Sequence, residues 1–360
     1  MTLAVNKQQS MKNEPTKIIT KMGPGTSFLV ICSLIFSGLQ GCAKEPEQLV
    51  FNGATMGTTY LVKIVPGEAV VAKNLANHID DRLKGLDATF STYQKSSELM
   101  RFNQSVINKP VSVSPDMLKL MTIAMQVYQQ SDGAFDPTVG PLVNLWGFGP
   151  YYTDQVIPQA QDITHQLLSV GLNNLLLNQQ AGTATRQSDI QLDLSAIAKG
   201  YAVDAVAELL ASSGLVNYLV EIGGELRLSG RKANGQRWKI AIEKASLEQG
   251  DVQQAISVED MALATSGDYR NYFEKNGKLY SHTIDPRTGY PIDHGLASVT
   301  VVSQTAVKAD ALATAMMVMG PEKALRFTEQ NNLAAYLLIK EVDGFKSRAS
   351  TVFTKNFLGE

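Results

Sequence analysis

The chain has 360 residues, 44% hydrophobic and 18% charged, with 28 Gly and 13 Pro, a globular composition that excludes disorder, collagen and a polytopic membrane protein. Its 32 Lys and Arg against 34 Asp and Glu give a net charge of −2, without the basic surplus on which nucleic-acid binding depends. Both cysteines, Cys32 and Cys42, lie in the first 42 residues, so the body has no disulfide framework, no Cys-based zinc site and no thiol nucleophile.

The first 41 residues read as a targeting segment. Lys7, Lys12, Lys17 and Lys21 precede the apolar run Phe28 to Phe36, which is too short to span a bilayer and has the length of a signal-peptide hydrophobic region. It ends in Leu39-Gln40-Gly41-Cys42, which resembles a bacterial lipobox and implies that Cys42 becomes the lipidated first residue of the mature chain. A plain signal peptide with an incidental Cys42 is the alternative. Residues 42–49 then form a lipidated tether, and 50–355 form one catalytic domain. Loss of residues 1–41 leaves 28 basic and 33 acidic groups, so the mature chain has no polybasic patch and its attachment rests on the lipid.

Alternation in Thr58 to Ile64 predicts a strand, and apolar spacing in Val71 to Leu86 predicts a helix. Ser114-Pro115-Asp116 reads as an N-cap with proline at the first helical position. Met117, Leu120, Met121, Ala124 and Tyr128 then mark one face of a helix to about Gln130. Residues 154–191 are polar and offer no chemistry, and Gln236 to Val258 reads as strands joined by a loop. Strands and helices mix without strict alternation, which predicts an α+β fold with mixed sheets flanked by helices.

Three segments carry chemistry. In the first, a strand over Ile190 to Leu194 is expected to lead through Ser195, as N-cap, into a helix from Ala196 to Leu210. Lys199 in the first turn of such a helix makes an anion site with the free backbone N–H groups, and Asp193 lies just before it. Spacing alone leaves a plain Asp193–Lys199 surface pair equally open. In the second, Asp285-Pro286-Arg287-Thr288-Gly289 has turn chemistry and follows His282, a candidate general base that could equally be a structural histidine. In the third, a strand over Ser298 to Ser303 leads into a helix on which Asp310 and Thr314 fall four apart, on one face. Those are hard oxygen ligands suited to Mg²⁺, or else a buried Asp bonded to its neighbour.

Taken together, an anion site, a hard-metal face and a base are what transfer at phosphorus requires. The chain resembles the ApbE-like FAD:protein FMN transferases through Gly53-Ala54-Thr55-Met56-Gly57-Thr58-Thr59-Tyr60, Phe90-Ser91-Thr92-Tyr93, Asp132-Gly133-Ala134-Phe135-Asp136-Pro137-Thr138 and Leu192 to Gly200. The resemblance continues in Glu221-Ile222-Gly223-Gly224-Glu225, Thr265-Ser266-Gly267-Asp268-Tyr269, the His282 loop and the Asp310 helix.

That resemblance implies a flavin transferase fold with FAD in a central cleft. It also implies Mg²⁺-dependent transfer of FMN from FAD to a threonine hydroxyl of a target flavoprotein, with release of AMP. Met56, Tyr93, Ala134, Phe135, Asp136, Asp193, Lys199 and Ile284 would contact FAD, several through backbone groups. The Ala196 and Ala313 carbonyls, Asp310 and Thr314 would hold the metal, and His282 would take the threonine proton. Phe135 and Tyr93 would offer flat surface to a ring system, unless each serves the core. Glu225 stands where many members have Asp, and Glu243-Lys244 lacks an Asp-Pro found after the equivalent of Trp238. The implied partners are periplasm-facing flavoprotein subunits of membrane redox complexes, which places the anchor in the inner membrane. An FAD pyrophosphatase, a non-catalytic flavin-binding lipoprotein and a structural lipoprotein are the other readings. His282, Lys199 and Asp310 together weigh against the flavin-binding lipoprotein, since a binder needs no base, and a structural lipoprotein predicts no flavin affinity.

Overall fold

The computed structural model describes residues 48–66, 73–149, 157–244, 252–268 and 272–359. The expected signal segment, Cys42 and most of its tether lie outside them, as does Tyr269. Strands β1 (Leu49–Thr55) and β2 (Thr58–Ile64) form a hairpin whose two-residue turn, Met56-Gly57, has φ of 48° and 74°. Positive φ at both turn positions matches the twist of the flanking strands. Helices α1 (Leu75–Phe90) and α2 (Glu98–Asn103), the short β3 (Val111–Ser112) and helices α3 (Pro115–Gln130), α4 (Gly140–Leu145) and α5 (Ala160–Leu167) follow. Next come β4 (Leu175–Asn178), β5 (Thr183–Arg186), α6 (Ala198–Ser212), β6 (Tyr218–Ile222), β7 (Glu225–Ser229), β8 (Trp238–Glu243) and β9 (Val252–Val258). The remainder is β10 (Met261–Gly267), β11 (Tyr272–Lys275), β12 (Lys278–Ser281), β13 (Leu296–Ser303), α7 (Ala306–Met319), α8 (Pro321–Gln330), β14 (Ala334–Glu341) and β15 (Gly344–Ala349).

Eight strands form the main sheet in the order β1-β2-β6-β7-β10-β13-β14-β15, and each neighbouring pair is antiparallel. The period of two sorts its side chains into two cores. Ala262 and Ala264 of β10, Val299 and Val301 of β13, and Ala335 and Leu337 of β14 enter the larger core, beneath the helices. Leu263, Val302, Tyr336 and Leu338 enter the second. That second core is closed by the β8–β9 ribbon through Trp238, Ile242, Ile256 and Val258, and by Phe353 near the C-terminus. The strands expected over Gln236 to Val258 therefore roof the back of the sheet. Phe357 and Leu358 pack there too, so the fold runs slightly past the expected boundary at 355.

Helix α3 starts and ends where the sequence places it, with the Ser114 hydroxyl accepting from the Met117 amide at 3.2 Å. Helix α1 begins at Leu75 rather than Val71 and runs four residues past Leu86. The expected strand over Ile190 to Leu194 does not form. Its backbone is taken up by the Asn103 side chain, which bonds both the N–H and the C=O of Leu192 at 2.8 Å, and by Pro137, whose carbonyl accepts from Asp193 at 2.7 Å. Nor does Ser195 cap a helix. Its hydroxyl and amide both donate to its neighbour Asp193, and α6 starts at Ala198.

Three helices are tied by one carboxylate. Asp116, in the first turn of α3, accepts two bonds from Arg82 of α1 at 2.6 and 2.7 Å and one from the Tyr201 hydroxyl of α6 at 2.7 Å. The Arg82 guanidinium holds the Asp116 carboxyl below its ordinary range, against a smaller opposing effect of burial. A depressed folded pKa means that this contribution is present above the unfolded value, about pH 4, and fades as pH falls through the folded one. Asp116→Ala should therefore cost about 1–2 kcal/mol at neutral pH by urea denaturation, with the difference from wild type shrinking below about pH 4.

Candidate active site

The helix-covered face of the sheet opens into a cleft of about 370 Å3. Its walls are the Ala134–Pro137 loop, the segment from Asp193 to Lys199, the Gly223–Glu225 turn, the end of β10, the loop after β12 and one face of α7. Of the candidates singled out in the sequence, Ala134, Phe135, Asp136, Asp193, Ala196, Lys199, His282, Ile284, Asp310 and Thr314 line it. Met56, Tyr93 and Ala313 are not among the lining residues. Met56 holds the β1–β2 turn, Tyr93 is 76% exposed, and the Ala313 side chain is buried inside α7.

Several lining residues have their side chains committed elsewhere. Phe135 is buried in the larger core although it borders the cleft. Asp136 accepts from the Thr138 amide and hydroxyl at 2.8 and 2.6 Å and from the Leu172 amide at 3.3 Å, which fixes the loop's shape. The open alternative of an Asp193–Lys199 surface pair is not what forms. Asp193 holds Ser195, while the Lys199 ammonium meets Glu225 at 3.2 Å.

Glu225 is the lining group that motif reading passed over. It opens β7 directly after Gly223-Gly224, whose φ values of 59° and 100° turn the chain sharply enough to aim it inward. Its side chain is 4% exposed, and its second carboxylate oxygen, Oε2, is buried without a hydrogen-bond partner. Burial and the nearby Asp310 carboxylate push the Glu225 pKa up to about 8. Asp310 is also buried, and burial raises its pKa despite the attraction of Lys199. For Lys199 itself burial favours the neutral form, but Asp310 and Glu225 outweigh it and keep the ammonium charged.

Helix α7 is apolar nearly all round, as expected of a helix wedged between the sheet and α6. A buried Asp310 in such a helix needs partners, and one is the Gly200 amide, which donates to Oδ2 at 3.0 Å. In return, Asp204 of α6 accepts from the Ala306 and Val307 amides of α7 at 3.0 and 2.9 Å. Each helix thus satisfies first-turn N–H groups of the other with a carboxylate. The approach is close enough that a Cβ on Gly200 would lie 2.5 Å from the Ala306 carbonyl oxygen and 2.8 Å from Asp310 Cβ. One turn on, the Thr314 hydroxyl lies 3.2 Å from that of Ser266 at the end of β10.

This donor set fits a hard divalent cation. Two buried carboxylates face one ammonium, one carboxylate oxygen is unpartnered, and the Ser266 and Thr314 hydroxyls and the Ala196 segment add further oxygen atoms. Among the described residues no three His, Cys, Asp or Glu side chains converge, so ligands would also have to come from carbonyls, hydroxyls or a bound phosphate.

His282 stands across the cleft, just after β12. The Asp285–Gly289 turn beside it is closed by the Gly289 amide donating to the Asp285 carbonyl at 2.8 Å, with Gly289 at φ 79°. A third apolar cluster of Leu142, Trp146, Ile163, Phe273 and Ile284 supports this loop, and Trp146 donates to the Gly289 carbonyl at 2.8 Å. The edge of the Phe148 ring lies 6.4 Å from the imidazole, centre to centre. Asp285 is committed to Arg287, with two contacts of 2.8 Å.

A held lysine, buried carboxylates and a histidine line one cleft of an α+β protein. The chain belongs to the ApbE family, whose pattern matches residues 56–337. It is 44% identical over 324 residues to a FAD:protein FMN transferase of Vibrio cholerae, covering 89% of this chain and 96% of the relative. It is 42% identical over 333 residues to one of Haemophilus influenzae, covering 91% and 96%. The solved flavin transferase ApbE of Vibrio cholerae superposes with a TM-score of 0.79 at 43% identity, over 86% of this chain and 99% of that one. The apo flavinyl transferase ApbE of Pseudomonas stutzeri gives 0.81 at 40% identity, over 87% and 98%.

Proposed function

We propose that this protein is a FAD:protein FMN transferase that moves FMN from FAD to a threonine hydroxyl of a partner flavoprotein, with Mg²⁺ and with release of AMP. The observation that carries this reading is the convergence of His282, Lys199, Asp310 and Thr314 on one cleft of an ApbE-family chain. In the step proposed, the threonine oxygen bonds to the FMN phosphorus, the bridging P–O bond breaks, and the electron pair leaves on AMP. His282 accepts the threonine proton. Lys199 donates to the diphosphate, and the Ala134–Pro137 backbone borders the bound dinucleotide. Asp310 and Thr314, with the Ala196 and Ala313 carbonyls, would hold Mg²⁺, which supplies charge neutralisation at the diphosphate.

The test uses the full-length protein in detergent with FAD, Mg²⁺ and a periplasmic flavoprotein subunit, read as covalent flavin fluorescence on a denaturing gel. Labelled acceptor supports the proposal. Free FMN and AMP with unlabelled acceptor would mark hydrolysis and overturn it.

The same proposal places the protein on the periplasmic side of the inner membrane, anchored by lipid on Cys42, as suggested by the basic stretch, the apolar run and Leu39-Gln40-Gly41-Cys42. No helix among the described residues is long and apolar enough to cross a membrane. Cys42→Ser should shift the protein from the membrane to the soluble fraction or leave it unprocessed. Mass spectrometry that finds no acyl group on wild-type Cys42 would remove the anchor from this account.

A further inference from the structure

We propose that Glu225 is a positioning residue that holds the Lys199 ammonium away from Asp310 and so keeps the cation position open. The inference rests on the reading of the cleft as a metal-dependent transferase site. Three observations carry it.

Lys199 is the only lysine or arginine among the described lining residues, and two buried carboxylates compete for it. Both carboxylates attract the ammonium, which sits on Glu225 at 3.2 Å while Asp310 receives the Gly200 amide. The lysine stem is braced in that direction. A Cβ on Gly223 would stand 3.2 Å from Lys199 Cδ and 2.9 Å from Thr58 Cγ2, so the stem runs close over the turn that ends in Glu225.

The third observation is the unpartnered Glu225 Oε2, a carboxyl oxygen buried in the cleft wall. A glutamate kept only as a structural ion pair would be expected to satisfy both oxygens. Here one oxygen restrains the ammonium while the other remains able to take a second ammonium hydrogen or a donor on the bound ligand. Without Glu225, Asp310 is the carboxylate that remains to attract the half-buried ammonium. An ammonium there would occupy the charge and the space that a divalent ion needs.

The experiment titrates Mn²⁺ into full-length protein in detergent with saturating FAD, following free Mn²⁺ by electron paramagnetic resonance, with a melting temperature for every variant. Glu225→Gln should weaken Mn²⁺ binding about tenfold or more, and Glu225→Asp, which keeps a carboxylate on the same turn, should stay within about threefold of wild type. In a Lys199→Met background the Glu225→Gln loss should shrink to about threefold or less, because no ammonium remains to fall onto Asp310. Glu225→Ser serves as the neutral variant if Glu225→Gln does not fold. An equal loss in both backgrounds would make Glu225 act on the ion directly and overturn the proposal, as would no loss in either. Wild-type protein that binds no Mn²⁺ would instead overturn the metal-dependent reading, and this inference with it.

Discussion

His282→Ala should lose about 10²–10⁴-fold in FMN transfer while keeping FAD affinity within a few fold of wild type. The expectation follows from where the ring sits. Of the four histidines, His282 alone lines the cleft, whereas His78 bonds Asn74 on α1 and His165 is exposed on α5. Its backbone neighbours are fixed on both sides, by the Thr283 amide donating to the Ser281 hydroxyl at 3.2 Å and the Ile292 amide donating to the Thr283 carbonyl at 3.0 Å. The ring itself is only partly buried, so its removal leaves the underlying cluster of Trp146 and Phe273 in place. Single-turnover transfer beside fluorescence quenching by FAD separates the possibilities. A parallel fall in FAD affinity and melting temperature would make His282 structural, and near-normal turnover would move the base elsewhere. Asp285, in the turn beside His282, is a poor substitute because Arg287 occupies both its oxygens.

Asp310→Asn should abolish Mg²⁺-dependent transfer and, in the absence of metal, leave the fold as stable as wild type or more so. Burial raises the pKa of Asp310, so the folded protein holds that proton more tightly than the unfolded chain does. Ionisation of Asp310 therefore costs stability as pH rises, and asparagine removes the charge while leaving an oxygen for the Gly200 amide. Metal should act in the opposite sense, since a ligand that binds only the folded state stabilises it. Wild type should then gain about 2–4 °C on addition of Mg²⁺ and FAD for each kcal/mol of linkage, with the gain from Mg²⁺ absent in the variant. EDTA should stop wild-type transfer and excess Mg²⁺ restore it. Full activity in excess chelator would remove the metal from the mechanism, and a variant that melts well below wild type would show that the Asp310 charge itself supports the fold.

The sequence announced elements whose causes are local. Ser114, Pro115 and the apolar face from Met117 to Tyr128 contain all that is needed to start and orient α3, and that helix lies where they place it. The same holds for β2 and for the turn after His282, where Asp, Pro and Gly fix the backbone within five residues. Local pattern failed where the decisive partner lies far along the chain. Residues 190–194 alternate like a strand, but Asn103, some 90 positions away, takes their backbone bonds. Ser195 looks like a cap until Asp193 claims it. Phe135 and Tyr93 look alike as aromatic platforms, yet one is buried in the core and the other is exposed beyond the cleft lining. Glu225 was legible only as an unusual letter in a motif, because its chemical interest comes from Lys199 and Asp310, which belong to two other elements.

The exchanged carboxylates of α6 and α7 make amide hydrogen exchange a monitor of the proposed metal site. The N–H groups of Gly200, Ala306 and Val307 are each bonded to a side chain on the opposite helix, so none can meet solvent water while the pair stays docked. Separation of the helices would release all three together and carry Asp310 away from the Ala196 segment in the same motion. The position of Asp310 relative to the start of α6 is thus set by one helix–helix contact. A common protection factor at these three amides would report whether that spacing is intact in a protein that has bound nothing.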